Sequence, residues 1–131
     1  MGKGSRAERE LINKFWENGY ATMRAPASGS GRKHPQPDLL TSINEEMYGI
    51  EIKSSSEETI YVDKEEIRKL KEFCEKFGCK PLIGVRFDYK GWLFFRPQKC
   101  ETTEKNYKIS RDEVDLNFVE GEGFKKQKTI S

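Results

Sequence analysis

The sequence predicts an α/β domain in which a mixed central sheet of about five strands is flanked by helices. Three observations point there. Apolar residues recur at helical spacing over about 6–18 and 64–77, and in period-two or short apolar runs elsewhere. The resulting order is helix, strand, hairpin, helix, strand, strand, and a helix between the third and fourth strands permits a right-handed parallel crossover. Finally, 131 residues suffice for one buried core but not for two.

The first helix is expected over about 6–18. Ser5 offers an N-cap and Glu8 stands three positions on, a capping-box pattern. Ala7, Leu11, Ile12, Phe15 and Trp16 form its apolar stripe, and Gly19 supplies the stop. A short strand over 20–24 leads into the Ala-Pro-Ala-Ser-Gly-Ser-Gly stretch at 25–31, a loop by composition. A hairpin follows, with strands near 38–43 and 47–54 joined at Asn44, Glu45 and Glu46. Its second strand alternates: Tyr48, Ile50 and Ile52 on one face, Gly49, Glu51 and Lys53 on the other. The second helix spans about 64–77, with Asp63 as N-cap, Glu66 at the capping-box position and Gly78 closing it. Its apolar face is Ile67, Leu70, Phe73, Cys74 and Phe77. Strands at 81–87 and 92–95 turn at residues 88–91. Past Pro97 the pattern fades: Val114, Leu116, Phe118 and Val119 suggest one short element, and the last residues read as a partly mobile tail. The expected organisation is one domain over 1–131, with a core at about 3–97 and an extension at 98–131.

Charged residues make up 35% of the chain and hydrophobic ones 34%, a highly charged surface without the extremes of disorder. The net charge of +2 does not announce nucleic-acid binding. Placement is more informative, because Arg24, Arg32, Lys33 and His34 fall in an acid-free stretch between 24 and 37. The 3 cysteines show no CxxC spacing and there is 1 histidine, which argues against a structural zinc site. Cys74 sits among apolar helical positions, as a core thiol would. The basic residues at the N-terminus are followed by charge rather than an apolar run, and no long apolar span appears. A reduced, cytoplasmic protein that does not cross a membrane is expected.

The chemistry-bearing residues lie in the hairpin. Hydrolysis of a phosphodiester needs a divalent cation to offset backbone charge and activate water. Magnesium takes hard oxygen ligands, usually few carboxylates with several waters. Asp38 opens one strand directly after Pro37, and Glu51 lies on its partner strand, where the pairing register can bring the acids together. Lys53 is two residues further on the same face, placed to hold the attacking water or the transition-state charge. The plain alternative is that Glu51 and Lys53 are solvated charges on a half-exposed strand.

Pro37-Asp38 followed by Glu51-Ile52-Lys53 resembles the signature of the PD-(D/E)xK nuclease superfamily. The wider pattern is more specific. Residues 3–11, the loop at 24–33, the Pro37-Asp38 step, Gly49 with Ile50 through Ser54, and Ile60-Tyr61-Val62 together resemble archaeal Holliday junction resolvases of the Hjc type. The resemblance runs from about 3 to 97 and does not vouch for the rest. It implies a restriction-endonuclease-like fold and a homodimer that binds four-way DNA junctions by structure rather than sequence. It also implies paired symmetric nicks with magnesium, or manganese in its place, in homologous recombination and repair. Carried over by residue, Glu8, Asp38 and Glu51 match the metal-binding acids, Lys53 the catalytic lysine and Ser28 a loop serine implicated in catalysis. Arg9, Arg24, Ser30, Arg32 and Lys33 match positions associated with DNA binding.

Each assignment has a simpler alternative. Glu8 could serve only as the capping-box acid, although it also borders the inward helical stripe. Ser28 could be flexible punctuation, and Arg32 with Lys33 an ordinary solvated turn. The aromatic residues Tyr61, Phe73, Phe77, Trp92, Phe94 and Phe95 read as core or dimer surface rather than base-stacking platforms, and an apolar patch left by the sheet and second helix is the expected interface. A related nuclease acting on linear or flapped duplex, or a catalytically silent DNA-binding homologue, would share most of these features.

Overall fold

The computed structural model describes residues 3–26 and 34–126, with side chains from Arg6 onward. Helix α1 (Lys3–Glu17) leads to strand β1 (Thr22–Arg24) and the hairpin of β2 (Leu39–Ile43) and β3 (Glu46–Ser55). Strand β4 (Thr59–Asp63) runs directly into α2 (Lys64–Phe77), which is followed by β5 (Lys80–Phe87) and β6 (Gly91–Phe95). After a 3-10 turn at Pro97–Lys99 come β7 (Glu101–Thr102), β8 (Asn106–Ser110), β9 (Leu116–Val119) and β10 (Gly123–Lys126). Among the described residues, seven strands form the main sheet in the order β1-β2-β3-β5-β6-β9-β10, and β4-β8-β7 form a second sheet. Strand β3 pairs with β5 in parallel and with β2 antiparallel, so the sheet is mixed and α2 lies in the expected crossover.

The main sheet has a core on each face. On one, Ala7, Leu11 and Phe15 of α1 pack with Leu39, Ile50, Ile52, Leu82 and Phe94. On the other, Ile67, Leu70 and Cys74 of α2 pack with Ile83, Val85, Phe87, Leu93 and Phe95. The alternation of side chains along a strand explains the division: Leu82 and Phe94 turn to α1, Ile83 and Phe95 to α2. Gly49 lets α2 approach β3 closely, since a Cβ there would stand 2.8 Å from Cys74 Sγ. Asp63 caps α2 by accepting from the Glu65 N–H at 2.7 Å, and Gly78 ends it in the left-handed conformation at φ 89°. Among the described residues, no helix is long and apolar enough to cross a membrane.

Two expectations need correction. Helix α1 begins at Lys3, so Ser5 lies inside its first turn and does not cap it from outside. The main sheet has seven strands rather than about five. The additional strands come largely from the C-terminal extension. There β9 adds to β6 through Phe94 and Leu116, β10 pairs with β9, and β8 pairs with β4. Phe118 and Phe124 pack on Phe15 with ring centroids 5.0 and 6.1 Å away, so residues up to 126 belong to the packed structure.

Candidate active site

The site is built on the β2–β3 hairpin, to which each helix adds an acid, Glu8 from α1 and Glu66 from α2. Leu39 pairs with Ile50, and Asp38 stands just beyond the last paired residue of β2. The Asp38 N–H donates to the Ile50 carbonyl at 3.0 Å, and the Ile52 N–H donates to Asp38 Oδ2 at 2.7 Å. Asp38 is therefore held by the two residues that flank Glu51, with its carboxylate aimed by a charge-assisted bond. Pro37 before it is buried, which fixes the entry of the chain.

Glu51 and Lys53 lie on the α2 side of the sheet. Their parallel partners on β5 are Ile83 and Val85, both fully buried, so the two charged side chains emerge beside an apolar wall. The Glu51 side chain retains 17% exposure and that of Lys53 30%; Lys53 Nζ stands 3.9 Å from Glu51 Oε2. A nearer acid comes from α2: Lys53 Nζ donates to Glu66 Oε1 at 3.0 Å and Oε2 at 3.3 Å. Glu51 opens onto a groove of about 420 Å³ bounded by His34 and Gln36 on one side and Glu66, Arg68 and Lys69 of α2 on the other.

Helix α1 brings Glu8 from the opposite side. Its carboxylate meets Arg24 Nη2 at 3.1 Å and retains 15% exposure against 44% for Arg24. Burial is the main force pushing the Glu8 carboxyl above its ordinary value, the charge of Asp38 adds to it, and Arg24 opposes both. Glu8 is thus close enough to Asp38 to feel its charge, with Arg24 set against it. Asp38 and Glu51, on adjacent strands, suit a hard divalent ion that keeps much of its water. Among the described residues no three acids form a closed cage for a metal, and Glu8 is engaged with Arg24. The two strand-borne acids, Asp38 and Glu51, are the candidate pair of ligands.

The structure sets Lys53 beside Glu51, ties Asp38 to the residues that flank Glu51, and puts Glu8 within reach of the Asp38 charge with Arg24 against it. Arg9 is exposed on α1 one residue beyond Glu8. Ser28, Ser30, Arg32 and Lys33 lie outside the described residues. Sequence reasoning missed Glu66, which reads as a capping-box acid but turns to Lys53 instead. A lysine on β3 facing the helix that crosses over it was the only available signal. Of the aromatic residues, Phe94 and Phe95 are core, Phe73 and Trp92 pack against it half-buried, and Tyr61 and Phe77 are more than half exposed.

Comparison with known proteins places the chain in a family. A family model described as archaeal Holliday junction resolvase (Hjc) matches residues 1–130. The crossover junction endodeoxyribonuclease Hjc of Archaeoglobus fulgidus is 33% identical over 116 residues, covering 88% of this chain and 85% of the relative. The Hjc protein of Methanocaldococcus jannaschii is 35% identical over 130 residues, covering 98% and 92%. The solved structure of Archaeoglobus fulgidus Hjc, a Holliday junction resolvase, superposes with a TM-score of 0.78 at 31% identity, covering 85% of this chain and 91% of that one. The chain belongs to the archaeal Holliday junction resolvase family of the Hjc type.

Proposed function

We propose that this resolvase-family endodeoxyribonuclease cuts four-way DNA junctions at a magnesium-dependent site formed by Asp38, Glu51 and Lys53, with Glu8 in support. The observation that carries the reading is the lock on Asp38, whose backbone and carboxylate bond to Ile50 and Ile52 on either side of Glu51. Asp38 and Glu51 would hold the ion, which when bound offsets the charge of the scissile phosphate and makes a water more acidic. Lys53 supplies a fixed positive charge and hydrogen-bond donors on the same strand face, where charge develops on the phosphate oxygens. Arg24 and Arg9 offer cations to the flanking backbone, the contact that positions DNA without reading sequence. Manganese, another oxygen-binding divalent ion, is expected to substitute.

A homodimer that makes paired symmetric nicks fits the same reading. A four-way junction has approximate two-fold symmetry, and an isologous dimer presents two equivalent sites to it. The surface to bury is an apolar groove of about 280 Å³ lined by Trp16, Met23, Leu40, Met47 and Phe77. Trp16, Met23, Met47 and Phe77 are each between 43% and 60% exposed, more apolar surface in one place than a lone copy of the chain needs. Phe73 stacks on Phe77 at 4.9 Å and stiffens that edge. A reduced cytoplasmic setting fits the three free thiols and a DNA substrate.

The reading is tested by digesting labelled linear, flapped and four-way DNA in parallel with magnesium, manganese or a chelator, alongside sedimentation of the free protein. Metal-dependent paired nicks near the crossover and a dimeric protein are the expected results. Equal cutting of linear or flapped duplex would indicate a different nuclease of the superfamily. Junction binding without cleavage in any metal would indicate a silent homologue.

A further inference from the structure

We infer that Glu66 of α2 is a positioning residue for Lys53, holding the ammonium at the working end of β3 so that cleavage rate, rather than DNA affinity, depends on it. The inference rests on the assignment of Lys53 to the reaction. A lysine side chain is a flexible four-carbon stem ending in a point charge, and it acts well only if something limits its freedom. Both Glu66 oxygens converge on that charge, at 3.0 and 3.3 Å, whereas Glu51 stands at 3.9 Å. When Glu51 binds a cation, its charge no longer serves Lys53, and Glu66 remains as the acid that does.

The anchor also stands on rigid structure. Glu66 lies in the first turn of α2, three residues after the Asp63 cap and one before Ile67, which is fully buried. Helix α2 is itself seated on β3 through the Gly49–Cys74 approach. Lys53 and its anchor thus belong to two elements packed together, which is how a catalytic geometry is held in place. A purely local role would be to place negative charge at the helix N-terminus. Glu65 occupies the same first turn, but its carboxylate is taken by Arg68 at 2.7 Å, away from Lys53. It is the natural control.

The test measures single-turnover cleavage of a four-way junction at saturating protein, junction Kd and thermal melting for Glu66→Ala, Glu66→Gln, Glu65→Ala, Lys53→Ala and the Lys53→Ala/Glu66→Ala pair. Glu66→Ala is expected to lower the saturated rate about tenfold, with junction Kd unchanged, because it misplaces a charge at the reacting phosphate. Glu66→Gln, which keeps an acceptor, recovers part of the rate, and Glu65→Ala cuts like the parent. In the Lys53→Ala background, adding Glu66→Ala has no further effect. A wild-type rate for Glu66→Ala, an equal loss in both backgrounds, or a loss confined to Kd would overturn the inference while leaving Lys53 in its role. A wild-type rate for Lys53→Ala would remove the assignment on which the inference rests.

Discussion

The two faces of β3 divide the core from the proposed site within one strand. Ile50 and Ile52, at 0% and 8% exposure, point into the core under α1. Glu51 and Lys53, one residue out of phase, keep 17% and 30% of their side-chain surface; Glu51 faces the groove beside α2, and Lys53 bonds to Glu66 of that helix. The difference is one of side-chain direction, since all four residues pair in the same parallel ladder with β5. The apolar face commits the strand to its register, because a slip of one residue would bury Glu51 and Lys53. Packing on one side thus places the chemistry on the other.

Substitutions on each face should separate accordingly. The largest effect belongs to Glu51→Ala, expected to reduce metal-dependent junction cleavage about 10³-fold while thermal melting stays near that of the parent. A comparable loss of melting temperature would break the division. Ile50→Ala should do the opposite and cost about 2–5 kcal/mol in urea unfolding, with the rate per folded molecule nearly unchanged.

Arg96→Ala probes the C-terminal strands that complete the α1 face. Arg96 donates from Nη2 to Asp115 Oδ1 at 2.7 Å, and from its backbone N and Nε to Oδ2 at 2.9 and 3.0 Å. With the Asp115 side chain only 11% exposed, removing the guanidinium should cost about 2–3 kcal/mol in urea unfolding. The pair has a pH signature too. Burial pushes the Asp115 carboxyl up, but the bonds and charge of Arg96 outweigh burial and hold it below the ordinary 3.8. Its contribution is therefore present above that value and is lost as pH falls through the lower folded one. Urea titrations in acid should show a shallower decline in Arg96→Ala than in the parent.

The smallest effect, yet the one that links the faces, is Gly49→Ala. An added Cβ would stand 2.8 Å from Cys74 Sγ, so α2 must yield, at about 1–3 kcal/mol. Because α2 also carries Glu66, the rate of cleavage should fall with stability, a coupling that Ile50→Ala should lack.

What was legible in the sequence follows from how local each signal is. Helix α2 could be read to its observed ends because the Asp63 cap, the Gly78 stop and a strong apolar period agree. The hairpin and the alternation of β3 were equally plain, and they brought Asp38, Glu51 and Lys53 together. Strand β4 was not, because it pairs with β8, which begins at Asn106, and its pattern means little without that partner. The same holds for β9 and β10, where short strands and a turn at Gly121 and Gly123 read as an extension. The start of α1 was misplaced because a cap residue can also be accommodated inside a first turn. Glu66 was hidden by its double suitability, since an acid at that helical position has a sufficient local reason to be there.

The most direct test of the account is magnesium-dependent cleavage of a labelled four-way junction by the parent and by Asp38→Ala. The variant is expected to lose cleavage yet still bind the junction, because phosphate contacts by basic residues would not need that carboxylate. Full magnesium-dependent cleavage by Asp38→Ala would contradict it.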